Sequence, residues 1–262
     1  MAAGGTNLIK KALKELLLRC GYQIRCVSDV PRQLLDSTLT RVVEFDDVVC
    51  RHMMKRGHEL TFIQVGAFDG ITGDPLRKYV TAQKWRGVLV EPQAKAADRL
   101  RTLYRDNDRV TVLQAAIDCE RRQRALFTVR EDEAPEWAGA LASFDRSNIE
   151  KHAKWIPNLR DRIQEEVVNC VPFDDVISLL PKAEIDLLQV DVEGADAYIL
   201  SVFPFEQVQP DIVHWERKHL SKKELESCMQ RLEKCGYRFA QSGLDDMIAV
   251  RDVSSERVAS AS

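Results

Sequence analysis

Glycines and carboxylates stand at the ends of apolar runs in this chain, and their types and spacing suit an enzyme that holds a nucleoside. Phe62-Ile63-Gln64-Val65 runs directly into Gly66-Ala67-Phe68-Asp69-Gly70. An apolar run ending at such a turn reads as a buried parallel strand that feeds a helix. Its glycines allow a positive φ or a close approach of ligand to backbone. Val88-Leu89-Val90 ends in Glu91-Pro92, with Glu91 25 residues after Gly66. A carboxylate at the tip of the neighbouring strand can take both hydroxyls of a ribose. The alternative is a surface carboxylate ahead of a loop-starting proline. Leu187-Leu188-Gln189-Val190 ends in Asp191-Val192-Glu193-Gly194. The i, i+2 spacing sends both carboxylates to one side of an extended chain, although either one could instead cap the next helix.

The run after that ends in His214-Trp215-Glu216. Asp191, Glu193 and Glu216 together could hold a hard cation such as Mg2+. Asp191, Glu193 or His214 could assist an acceptor in losing its proton. His214 lies deeper than Glu216, where a satisfied core histidine is the commoner outcome. His52, His58, His152 and His219 show no usable partner pattern. The first turn has G-A-x-D-G in place of the three-glycine G-x-G-x-x-G of dinucleotide folds. Asp69 there would put a carboxylate beside a pyrophosphate, an arrangement that favours a cationic, sulfonium-like ligand instead. At the end of the third strand, Ala116 and Ile117 would line an adenine ring and Asp118 would reach its amine.

Strands and helices alternate from residue 60 onward, as in a mostly parallel sheet. Strands are expected at about 61–66, 87–91, 109–117, 185–191 and 210–216, with a closing antiparallel pair near 237–241 and 246–251. Helices are expected at 41–56, 75–84, 93–104, 173–180, 195–202 and 221–235. Residues 122–171 break the alternation and read as an insertion on the ligand-binding edge, with a β-like run at 124–129, a turn-rich stretch at Pro135 and Gly139, a helical piece around 146–165 and a strand at 166–171. Its Trp137, Phe144, His152 and Trp155 could form an acceptor lid that stacks on a sugar, or could simply pack the insertion. Residues 1–59 form an N-terminal helical addition, with an amphipathic helix at 8–20. Residues 60–252 form the main domain, and the tail 253–262 is expected to be disordered.

At 262 residues the chain can bury one large α/β core. A net charge of −3 gives no reason to expect a nucleic-acid partner. No apolar run approaches the roughly 20 residues of a membrane span, and the N-terminus lacks a secretory leader. Its cysteines number 7, an odd count without a Cys-x-x-Cys, which favours a reduced cytoplasmic protein over a disulfide or zinc framework.

Strand-VGAFDG, strand-VEP, Ala115-Ala116-Ile117-Asp118 and Leu187-Leu188-Gln189-Val190-Asp191-Val192-Glu193-Gly194 together resemble the FkbM-like family of S-adenosylmethionine-dependent methyltransferases. Pro172-Phe173-Asp174-Asp175 and Asp246-Met247-Ile248-Ala249-Val250 add to the likeness, which covers about residues 60–251. The resemblance implies a class I methyltransferase fold. This is a Rossmann-like α/β three-layer sandwich with a seven-stranded sheet in the order 3-2-1-4-5-7-6, the seventh strand antiparallel. It implies that Gln64, Gly66, Ala67, Asp69 and Gly70 cradle S-adenosyl-L-methionine, that Glu91 and Pro92 hold its ribose, and that Asp191 borders the methyl-transfer site. It further implies O-methylation of a hydroxyl on a sugar, glycan or natural product. Phe68 replaces a smaller polar residue common in the family and, with Gly73-Asp74-Pro75-Leu76, suggests a subgroup. A nicotinamide-dependent oxidoreductase and a non-catalytic binding protein on the same fold are the alternatives.

Overall fold

The structure, a computed structural model, describes residues 42–130 and 135–251. The helix expected at 8–20 and the tail at 253–262 lie outside the described residues. A central sheet is built from β1 (Val42–Val43), β2 (Thr61–Val65), β3 (Arg86–Val90), β4 (Val110–Leu113), β9 (Leu187–Val190), β10 (Ile212–Glu216), β11 (Tyr237–Ser242) and β12 (Asp246–Arg251). Its order is β1-β11-β12-β10-β9-β2-β3-β4. Without the two-residue β1, which pairs in parallel with β11, this is the order 3-2-1-4-5-7-6 read from its far end. β12 is antiparallel to both of its neighbours, β10 and β11. The protein therefore has the Rossmann-like class I methyltransferase arrangement.

β2, β3, β9 and β10 are buried along almost their whole length, as their largely apolar sequences require of central strands covered on both faces. Phe62, Leu89, Leu187, Ile212 and Ile248 project into one cluster with Val49 and Met53 of α1 (Phe45–Arg56) and Tyr79 and Val80 of α2 (Arg77–Ala82). α3 (Ala94–Leu103) contributes Leu100 to the same cluster. Tyr237 alternates with the cluster residue Ala240, so it sits on the opposite face of the sheet. There it meets the ring series Phe173, Phe203 and Phe205, with successive centroids 4.8, 4.6 and 5.9 Å apart. These rings belong to α6 (Phe173–Ile177) and to the chain following α7 (Asp196–Val202). α8 (Lys222–Lys234) starts at a capping box in which Ser221 and Glu224 satisfy each other's backbone N–H groups.

The expected third strand is two pieces. β4 ends at Leu113, and β5 (Ala116–Ile117) leaves the central sheet to pair with Cys170 and Val171. It thereby joins a second sheet of order β5-β8-β6-β7, with β6 (Arg122–Val129), β7 (Ala142–Ser143) and β8 (Ile163–Val171). The insertion is thus mainly a long antiparallel pair, β6 with β8. The helical piece expected at 146–165 is only α4 (Arg146–Glu150) and α5 (Leu159–Arg162). Pro157 cannot donate to a continuing helix, and Asn158 turns the chain with φ +52°. Ile149, Ile156 and Leu159 anchor these short pieces in a small core with Val129, Ala138 and Leu141.

Candidate functional site

A cavity of about 910 Å³ opens where β2, β3 and β9 end, with the insertion as its far wall. Its floor is the glycine turn. Gly66 has φ +81°, and a Cβ there would lie 1.8 Å from the Asp191 carbonyl oxygen. The glycine is required because the tips of β2 and β9 touch, a demand of the protein's own backbone rather than of a ligand. Gly70, at φ +69°, packs where a Cβ would meet Leu100 of α3 at 2.7 Å. Ala67 is buried between them and lines the cavity.

Glu91 is 3% exposed and lines the cavity at the tip of β3. Its Oε2 accepts the Phe68 N–H at 2.9 Å and its Oε1 accepts the Gln93 N–H at 2.9 Å. It therefore steadies Phe68 in its left-handed conformation, φ +44°, and leaves each oxygen a free lone pair. Burial pushes its carboxyl up to about 7, more than those two N–H groups lower it. Pro92, Ala116 and Ile117 extend an apolar shelf beside it. Gln64 is buried at the cavity's other side and donates through Nε2 to Asp74 at 3.2 Å.

Two expected ligand-binding residues face elsewhere. Asp69 does not line this cavity; its carboxylate closes its own turn, accepting Ile71 N–H and Thr72 N–H at 2.8 Å each and the Thr72 hydroxyl at 2.9 Å. Its charge consequently says nothing about a pyrophosphate in the cavity. Asp118 does not reach an adenine amine. Its Oδ1 accepts the Tyr198 hydroxyl at 2.6 Å and Cys119 N–H at 2.7 Å, and its Oδ2 accepts from Arg122 and Arg124. Burial would raise its carboxyl, but the bonds from Tyr198, Arg122 and Cys119 outweigh that and hold it well below the usual range. The reason is topological: β5 turned away from the central sheet and carried Asp118 into the joint with the insertion.

At the tip of β9, Asp191 opens onto the cavity and its side chain accepts no hydrogen bond among the described residues. Although the residue is exposed, desolvation by the protein around its carboxyl, then Glu216 and Glu193, push it up to about 7. Glu193 takes a left-handed φ of +54° and Gly194 one of +102°, which folds the turn back against His219. His219 Nε2 lies 3.3 Å from Glu193 Oε2 and 3.7 Å from Glu216 Oε2. Its basicity is raised, chiefly by Glu193, while burial and then Glu193 push the Glu216 carboxyl up to about 7. Neither Asp191 nor Glu193 caps α7. Its first residue, Asp196, is buried and accepts the Gly194 N–H at 3.2 Å.

His214 is a core residue. It lies outside the cavity lining, its Nδ1 meets Gln189 Oε1 at 2.7 Å, and burial pushes its pKa down to about 3. It cannot serve a substrate in the cavity as general base. Glu193 and Glu216 come together with His219, one ligand atom each within 4.8 Å of one another, in place of the trio with Asp191. A ring nitrogen as near neighbour of both carboxylates gives Mg2+, which prefers oxygen, no support.

His219 and Asp74 went unnoticed as site residues because their partners, Glu193 and Gln64, are distant in sequence or hidden in a strand. Trp137, Phe144, His152 and Trp155 all line the cavity. The His152 ring centroid lies 6.0 Å from that of Trp137, 5.8 Å from that of Trp155 and 6.1 Å from that of His219. Among the described residues no helix is long and apolar enough to cross a membrane.

Residues 64–239 match a family model described as the methyltransferase FkbM domain. No curated protein matches the chain. Among solved structures, the chain is similar to methyltransferase FkbM from Methylobacillus flagellatus KT, at 15% identity and TM-score 0.47, over 74% of this chain and 44% of that one. It thus spans less than half the length of that relative. A METTL16 MTase domain is similar at 12% identity and TM-score 0.42, over 91% of this chain and 77% of that one. Precorrin-6y C5,15-methyltransferase from Geobacter metallireducens GS-15 is similar at 11% identity and TM-score 0.39, over 82% and 93%.

Proposed function

The chain belongs to the FkbM family of methyltransferases, and on that premise we propose that it transfers the methyl group of S-adenosyl-L-methionine to a hydroxyl oxygen of a sugar, glycan or natural-product small molecule. The observation that carries this reading is Glu91: a buried carboxylate at a strand tip, tied to the glycine turn and facing the same cavity as Asp191 and the tryptophans. The residues fit the cofactor. Glu91 has a lone pair on each oxygen for the two ribose hydroxyls, and Pro92, Ala116 and Ile117 offer an apolar face for adenine. When bound, S-adenosyl-L-methionine supplies a methyl already activated on a sulfonium.

The protein's task is then alignment, exclusion of water and removal of one proton. Asp191 lines the cavity at the tip of β9, two residues before Glu193 of the Glu193–His219 pair. We assign proton removal from the acceptor hydroxyl to this group. His219 held by Glu193 takes the place of His214 as the candidate base. Trp137 and Trp155, with His152 between them, suit the flat apolar face of a sugar ring. A nicotinamide dinucleotide has less support, because the Gly66, Ala67, Phe68 and Gly70 N–H groups of the turn already have protein acceptors.

Thermal melting of the purified protein with S-adenosylmethionine, S-adenosylhomocysteine and NAD tests the cofactor. A rise in Tm with both sulfur nucleosides and none with NAD is expected. Absence of a shift with either sulfur nucleoside would sink the reading. Incubating methyl-labelled S-adenosylmethionine with a glycan and metabolite pool, followed by mass spectrometry, then reads out the acceptor. Label on oxygen of a small molecule is expected.

A further inference from the structure

The cavity divides by charge. Its carboxylates, Asp74, Glu91, Asp191 and Glu193, stand at or beyond the ends of β2, β3 and β9. Its ammonium groups, Lys151, Lys154 and Lys218, come from the chain between α4 and α5 and from the loop after β10. Among the described residues, no acidic side chain of the insertion lines the cavity. The floor that would face a sulfonium is acidic, and the far wall is basic.

The lysines of that wall are not held by protein acids. Lys151 Nζ donates to the neutral Asn148 Oδ1 at 2.7 Å, and Lys154 Nζ lies 3.8 Å from the centroid of the Trp155 ring. Neither forms an ion pair among the described residues; Asp145 and Glu224 feel the charge of Lys151, but from outside the cavity lining. Lys218 Nζ is 3.9 Å from Asp245 Oδ2, a loose contact between two side chains that are each more than half exposed. The charges meet around His152. Burial lowers the basicity of its ring, Glu193 raises it, and His219, Lys218 and Lys151 lower it further. His152 is therefore a neutral N–H donor set among cations, with Trp137 and Trp155 as its aromatic neighbours. Glu193, the acid of this neighbourhood, is already engaged by His219 at 3.3 Å.

Resting on the methyl-transfer reading above, we propose that the acceptor is an anionic sugar, whose phosphate or carboxylate group is held by Lys151, Lys154 and Lys218 while its ring lies on Trp137 and Trp155. Ammonium groups without matched acids, inside a cavity beside flat apolar rings, attract and orient an anion. Lysine, a compact point charge, suits either oxyanion, whereas a wall built to select carboxylate alone would gain from the planar fork of arginine. A neutral acceptor would leave three cations that contribute nothing to its binding. The charges line a cavity shared with the cofactor floor, which favours a small acceptor over a polymer tracking across the surface.

Tryptophan fluorescence tests this, because Trp137 and Trp155 line the cavity while Trp85 and Trp215 are buried in the core. The wild type is titrated at low ionic strength with glucose 1-phosphate, glucuronate and glucose. At least one of the two anions should bind at least about tenfold more tightly than glucose, the gain of one charge-assisted hydrogen bond, and added salt should erode that gain. The tighter of the two identifies the group as phosphate or carboxylate. Lys151→Gln combined with Lys154→Gln, at two exposed positions, should cut the gain at least about threefold and leave S-adenosylhomocysteine binding unchanged. Equal binding of the three sugars, no response to either anion, or an undiminished gain in the double variant overturns the proposal. So does a single-stranded oligonucleotide that binds more tightly than both sugar anions. The comparison of sugars needs no variant and stands even if the double variant folds poorly. S-adenosylhomocysteine titrated into the same wild-type protein keeps the two readings apart: its failure to bind removes the methyl-transfer reading, whatever the sugars do.

Discussion

Glu91 does two jobs whose demands conflict, and its ionisation reports the conflict. It organises the glycine turn through Phe68 N–H, yet it is buried enough that its carboxyl is pushed up to about 7. Its folded-state value lies above its ordinary one. Its contribution to the stability of the unliganded protein is thus full at low pH and is lost as the pH rises through about 7. Ribose hydroxyls donate to the ionised form, so ligand affinity should move the opposite way. Affinity for 5′-methylthioadenosine, which has no tail charge to confuse the reading, is expected to rise roughly tenfold between pH 6 and 8. Glu91→Gln should flatten that profile and lower affinity at pH 8. A flat wild-type profile would show that Glu91 does not hold the ribose. His219 shows the limit of reading residues in one dimension. Its partners, Glu193 and Glu216, come from two different strand ends, and nothing in its own neighbourhood marked it.

Among the elements, the tips of β2 and β9 form one joint. The Asp191 N–H bonds to the Val65 carbonyl at 3.0 Å, and the Asp191 carbonyl fills the space beside the Gly66 Cα. Gly66→Ala should cost roughly 2–4 kcal/mol, combining a left-handed φ with a contact no rotamer can relieve. Urea unfolding measures it, and a loss below about 0.5 kcal/mol would mean the tips separate easily. The strands themselves were legible, because β2, β3, β9 and β10 are nearly pure apolar runs that stop at a polar tip. The helical piece at 146–165 was not legible. Its apolar residues Ile149, Ile156 and Leu159 imitate a helical stripe, but Pro157 and Asn158 interrupt it and the small core of the insertion holds the fragments. The split of the third strand was hidden for a related reason. Ala115-Ala116-Ile117 is as apolar as the strand before it, and only pairing with Cys170 and Val171 distinguishes the two.

For residues 42–251, Asp118 joins the two sheets. Arg122 and Arg124 of β6 and Tyr198 of α7 converge on one shielded carboxylate at the end of β5. Asp118→Asn leaves two guanidinium groups facing a neutral amide, and a loss of about 2–4 kcal/mol is expected. The carboxyl is held below its usual value, so this stability is present above about pH 4 and is lost as the pH falls toward the folded value. Urea unfolding of the variant at neutral pH checks it, and a variant as stable as the wild type would deny Asp118 this role. Sequence alone sent Asp118 to the adenine because it assumed one continuous sheet. The order of the central strands came through the family resemblance that the strand-tip motifs carry; the pairing of the second sheet did not, since it spans an insertion without a motif of its own.

Val42–Val43 pairs along only Gln241–Ser242, yet that short clasp changes what the last strand of the central sheet offers to the outside. β11 would otherwise present an uncovered row of N–H and C=O groups, the surface on which a second chain can add a strand. At the far side, β4 is only four residues long and gives such an addition little to hold. Among the described residues, the central sheet thus ends in a β11 covered only at Gln241–Ser242 and in a short β4. A chain trimmed past Val43 would lose that cover and lengthen the open edge of β11 from Tyr237–Ala240 to the full strand.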